Sequence, residues 1–190
     1  GEGTDAPDVQ IHVAPVQIVD EGMADPTAHG VWVSPCLLTA ESRGSVRLAS
    51  ADPTAKPIIR NNFYEREADL ARMISAVRLA AEICAQPSFK PYAADLFTGP
   101  SDDSDDTLRA HIAATTYEIY HPVGTCAIGA VVDAELRVEG VEALRVVDAS
   151  VMPTVPRGNT NAPTIAIAER AADLIRHGKA VATEADATAA

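Results

Sequence analysis

One stretch near the C-terminus, "NAPTIAIAERAADLIRH", constrains this chain more than any other part of it. Between Ala162 and Arg176 the Ile, Ala and Leu residues fall on nearly every side of a helix. An ordinary surface helix buries one apolar stripe; a helix apolar all round needs cover on most of its surface. The chain has 190 residues, 47% hydrophobic but only 4% aromatic, so its core must come mainly from Ala, Val, Leu and Ile. That supply need not suffice, and the helix invites a further protein surface.

Upstream, the pattern changes character twice. "VQIHV", Val9 to Val13, alternates polar and apolar residues with β-branched members, as a half-buried strand does. Residues 31–39, "VWVSPCLLT", predict a strand broken or bulged at Pro35. A turn at Gly44 leads into a short strand from Ser45 to Leu48, and residues 51–62 read as a Pro-containing connector. From Glu65 to Ala85 apolar residues recur every three or four positions until Pro87, which predicts the longest helix. "SDDSDDTLRAHIAATT" opens a second helix with acidic capping residues. After Thr116 come short strands punctuated by Gly140 and ended by Pro153, with Val146 and Val147 leading into Asp148. From residue 178 the chain is small and polar, the composition of a disordered tail.

The bulk numbers exclude several functions. A net charge of -12 is the wrong sign for nucleic acid or an anionic membrane. No run reaches the length a membrane span needs. Cys36, Cys84 and Cys126 are odd in number and widely spaced, so they suggest free thiols in a reducing, cytoplasmic compartment rather than a zinc site; no metal is expected. The chain opens on Gly1 rather than Met, which suggests a trimmed or excised segment.

Three short stretches could carry chemistry. His121 lies between Tyr120 and Pro122, with Gly124 allowing a tight turn, so its imidazole is presented on a stiff support. Such a group can take a proton from an alcohol near neutral pH, or can be an ordinary core or surface histidine. "GNTNAPT" carries more polar residues than one helix cap requires: Asn159 or Asn161 can cap, and Pro163 suits the first turn. The helix mouth favours negative charge in front of it. Asp148, followed by Ala149 and Ser150, suits a hydroxyl partner such as a ribityl chain, or simply caps a turn. No serine lies in a nucleophile elbow, and a His121–Cys126 dyad lacks a visible third member.

Together, "SRGSVRLAS", "YHPVGTCAIG" and the run from "VVDAELRVEG" to "GNTNAPTIAIAERAADLI" resemble the C-terminal half of the glucose-methanol-choline (GMC) oxidoreductases, flavoenzymes that oxidise alcohols. The resemblance covers about Pro7 to Ile175. It implies an α+β fold. Residues 1–130 would form a substrate-binding domain, a mainly antiparallel sheet flanked by helices. Residues 131–177 would be a strand–helix segment completing an FAD-binding domain. It makes His121 the general base and Asn159 the group that hydrogen-bonds the alcohol or alkoxide oxygen, with hydride passing to flavin N5. Asp148 and Ala149 would lie against the flavin. Thr160, Asn161, Ala162, Pro163 and Thr164 would face its pyrimidine end. Strands near His12 and Ser34 to Thr39 would floor the pocket for a small alcohol.

One departure is large. The family begins with a nucleotide-binding unit carrying G-x-G-x-x-G, and these 190 residues contain none. The resemblance therefore implies that an N-terminal FAD-binding half comes from a separate chain or a missing segment. A hydroxynitrile-lyase-type member of the scaffold, or a non-catalytic binding subunit, are the alternatives.

Overall fold

The computed structural model describes residues 6–19, 22–92 and 98–177 and divides into two compact units, Gly1–Ile119 and Tyr120–Ala190. The expected disordered tail, from residue 178, lies outside the described residues.

In the first unit, β1 (Val9–Ala14) pairs antiparallel with β2 (Trp32–Leu37), with Val9 opposite Leu37 and His12 opposite Ser34. Alternation in β1 gives the hairpin two faces. Val9 and Leu37 pack on the core formed by Met73, Ile74, Ala76, Leu108 and Ile112. His12 lies on the other face, its ring tilted against Trp32, and its Nε2 is buried without a hydrogen-bond partner. The break predicted at Pro35 does not occur: β2 runs through it, with Pro35 opposite Ile11. Both strands of a two-stranded sheet are edges, and on an edge a residue without an N–H costs no ladder bond.

A second antiparallel pair joins β3 (Ser45–Arg47) to β4 (Ile58–Arg60). β4 falls inside the stretch read as a connector; three residues are too few to display alternation. Gly44 permits the pairing to begin. A Cβ there would stand 2.3 Å from the Arg60 carbonyl oxygen.

The two predicted helices form as α1 (Glu67–Cys84) and α2 (Asp105–Thr115). The cap of α2 is Ser104, whose hydroxyl accepts from the Thr107 N–H; Asp105 and Asp106 sit in the first turn, where the dipole favours them. Asp69, buried in the first turn of α1, holds the preceding loop. It accepts from the Glu41 N–H (3.0 Å), the Ser42 N–H (2.7 Å) and the Ser42 hydroxyl (2.6 Å), and pairs with Arg72.

In the second unit, the core of Val132, Leu136, Val151 and Ala171 is finished by Val138, Val146, Val147 and Ile167. Here the series of short strands is corrected to isolated bridges: Ile128 with Val132, Val132 with Val138, and Arg137 with Arg145. Gly129, Leu136, Gly140 and Ala143 all take left-handed backbone, so the chain reverses before a ladder can grow. Val146 and Val147 are half-buried but form no strand. α3 (Asn161–His177) buries Ala171 and Leu174 and leaves Ile165 and Ile175 exposed.

Both units together match the expected α+β class, with β1–β2 and β3–β4 paired antiparallel. All three cysteines are free, and each is half-buried. Among the described residues no helix is long and apolar enough to cross a membrane.

Candidate active site

The second unit brings its three separated motifs together. Tyr120 takes a left-handed backbone (φ 62°) although its side chain is 74% exposed and packs little. Such a residue is strained unless its neighbours hold it. Gly124 (φ 90°) completes the reversal, and the chain then ties down: the Cys126 N–H donates to the Ser150 carbonyl and the Ile128 N–H to the Val151 carbonyl, both at 2.9 Å. The carbonyls belong to a 3-10 turn, Ala149–Val151, that Asp148 caps by accepting from the Ser150 N–H at 2.8 Å.

His121 projects from this support and is half-buried. Both ring nitrogens are engaged. Nδ1 lies 2.8 Å from Thr160 Oγ1, and Nε2 lies 3.1 Å from the amide nitrogen of Asn159. Thr160, 7% exposed, occupies the residue before α3, and its carbonyl accepts from the Thr164 N–H (3.0 Å) and the Thr164 hydroxyl (2.7 Å). The helix start thus fixes the threonine, and the threonine fixes the imidazole. An amide nitrogen can only donate, so Asn159 donates to Nε2 and leaves that nitrogen as an acceptor.

His121 and Asn159 therefore meet although they lie 38 positions apart in the chain. Thr160 joins them through a contact that the local sequence does not disclose. A hydroxyl flanked by two asparagines just ahead of a helix was the available signal. Asp148 and Ala149 share the supporting turn; the Asp148 carboxylate is directed to Ser150 rather than to His121. Asn161 and Ala162 stand exposed on the first turn of α3, while Pro163 and Thr164 are half-buried. Neither nitrogen of His121 is bonded to Cys126, which leaves the cysteine dyad without its proton acceptor. Among the described residues, no three His, Cys, Asp or Glu side chains converge as a metal site needs.

The donor set suits one end of a flavin. The exposed first turn of α3 presents the positive end of a helix dipole to an electron-rich ring edge. Asp148 keeps acceptor capacity for a hydroxyl beyond its bond to Ser150.

Comparison with known proteins identifies the family. Residues 40–168 match the family model described as GMC oxidoreductase. The chain is 43% identical over 175 residues to an oxygen-dependent choline dehydrogenase of Chromohalobacter salexigens, a match covering 90% of this chain and 31% of that protein. Pyridoxine 4-oxidase from Mesorbium loti superposes with a TM-score of 0.82 at 29% identity, covering 92% of this chain and 35% of that one. Formate oxidase of Aspergillus oryzae RIB40, described for its FAD modification, gives a TM-score of 0.74 at 28% identity, over 82% of this chain and 29% of that one. The chain thus spans about a third of the length of the relatives it matches.

Proposed function

The chain belongs to the GMC oxidoreductase family, and on that premise we propose that it forms the substrate-side part of an FAD-dependent oxidoreductase acting on a small alcohol. The observation that carries the reading is the imidazole of His121, held at both nitrogens by the two residues just before α3.

The chemistry follows from that arrangement. A substrate hydroxyl entering beside Nε2 displaces the Asn159 amide and donates its O–H to the freed lone pair. The amide N–H then turns to the substrate oxygen, where negative charge grows as the proton leaves. The proton ends on Nε2, and Nδ1–H keeps its bond to Thr160, so the ring becomes imidazolium without turning. A flavin, when bound, would supply the two-electron acceptor that the oxidation of the carbinol requires.

For that cofactor, Asn161 and Ala162 would meet the pyrimidine edge of the ring system. Asp148 and Ala149 would lie beside it. Nothing in the 190 residues resembles the glycine-rich cradle that grips a dinucleotide diphosphate. The nucleotide-binding half therefore comes, in this reading, from polypeptide outside these residues.

The test is anaerobic mixing of the complete FAD-loaded protein with small alcohols, choline and pyridoxine first, while the oxidised-flavin absorbance is followed. Bleaching by an alcohol, slowed about 10²–10⁴-fold in His121→Ala, is the expected result. Bleaching at the same rate in that variant removes the general-base role. No bleaching by any alcohol removes the reading as a whole.

A further inference from the structure

We propose that Thr160 is a positioning residue that selects which nitrogen of His121 acts as the base. The inference rests on the general-base reading for its catalytic consequence, whereas the tautomer it fixes is a property of this chain alone.

Asn159 can only donate through its amide nitrogen, so Nε2, 3.1 Å away, carries a lone pair. A neutral imidazole has one N–H, which must then be on Nδ1, and Thr160 Oγ1 at 2.8 Å accepts it. This is the opposite of the tautomer that a free histidine side chain favours in water. Something must hold it, and Asn159 is poorly placed to do so: it is exposed, and substrate must displace it. Thr160 is 7% exposed and its backbone is anchored at the start of α3 through its carbonyl, so its buried hydroxyl has little room to follow a rotating ring. The strain at Tyr120, next to the histidine, adds a reason for a fixed partner, because nothing in its own exposed side chain keeps the left-handed turn in place.

Without the threonine hydroxyl, the proton can move to Nε2 or the ring can turn, and either change removes the lone pair from the substrate. The isosteric Thr160→Val keeps the volume and deletes the acceptor.

Nitrogen-15 NMR of the full chain, labelled at histidine and assigned with His121→Gln, reads the tautomer directly through two-bond couplings in the ring. Wild type should carry the proton on Nδ1, Thr160→Val should lose that preference, and Thr160→Ser should restore it. In the flavin-loaded protein, Thr160→Val should lower kcat about tenfold with little change in KM, the worth of one hydrogen bond. A wild-type proton on Nε2 overturns the proposal without recourse to any variant. So does a Thr160→Val chain that keeps both the Nδ1 proton and its kcat. If the tautomer depends on Thr160 but His121→Ala turns over normally, the positioning stands and the general-base reading falls.

Discussion

Asn159 and His121 are joined by a 3.1 Å hydrogen bond that uses the nitrogen a base would need. In the proposed function the amide is a placeholder for substrate, and its chemical character should set the working pH. In Asn159→Asp a carboxylate faces the imidazole and favours its charged form. The neutral base then exists only at higher pH, and the rising limb of kcat/KM should move up by about one unit. Asn159→Ala keeps the limb near its original place and loses about 10² in kcat, as expected when one donor to a developing alkoxide is removed. A pH profile for each variant separates the two effects. An unmoved limb in the aspartate variant places the side chain away from the ring during turnover.

Asp69 makes a second prediction, this time about stability. Burial by itself would raise its pKa. The Ser42 hydroxyl, the Glu41 and Ser42 N–H groups and Arg72 outweigh that and lower it from 3.8 to about 2. The folded value is depressed, so the stabilisation is complete above the ordinary value and fades as pH falls through the folded one. It amounts to about 2 kcal/mol at neutral pH. Urea melts of the first unit should be flat from pH 7 to about 4 and weaken towards pH 2. Asp69→Asn should start less stable by a similar amount and lack most of this acid limb. A variant with an unchanged midpoint and an unchanged limb assigns the acid sensitivity to other groups.

How much of this was legible in the sequence depended on the length of each signal. α1 and α3 announced themselves because apolar spacing repeats over four or five turns. β4 did not, because Ile58–Arg60 is shorter than any alternation. Pro35 suggested a break because sequence does not reveal which strands are edges. Val146 and Val147 looked like a strand by composition, but left-handed turns at Leu136 and Ala143 leave only single bridges around them. His121 and Asn159 stood out through their local company, a proline and a crowded helix start. That Thr160 would touch the ring depends on bringing together residues 39 positions apart, which no local pattern encodes.

Gly124 tests the support under His121. Its φ of 90° is a conformation that side chains rarely adopt, and a Cβ would stand 3.4 Å from the Met152 carbonyl oxygen. Gly124→Ala should cost the second unit about 1–2 kcal/mol and lower its melting temperature. An alanine variant that melts with wild type would show that this turn can relax without cost.

The exposed side of α3 gives the last prediction. Ile165, Ala168, Ala172 and Ile175 are spaced by three, four and three residues, so they lie along one stripe of the helix. Ile165 is 54% and Ile175 59% exposed, while Ala171 and Leu174, a little further round, are buried in the core of the second unit. This is the side left over when a helix apolar all round finds only part of its cover. In the proposed function, the polypeptide carrying the nucleotide-binding half packs here. Replacing both isoleucines with lysine should change the melting of the 190-residue chain by no more than about 0.5 kcal/mol, since neither side chain is in its core. In the complete protein the same change removes two apolar anchors, each worth about 1.5–3 kcal/mol when buried. FAD should then dissociate at least about tenfold more readily, read as loss of flavin on gel filtration. Retention equal to wild type would mean that this stripe faces water, and that the flavin-binding half meets the chain elsewhere.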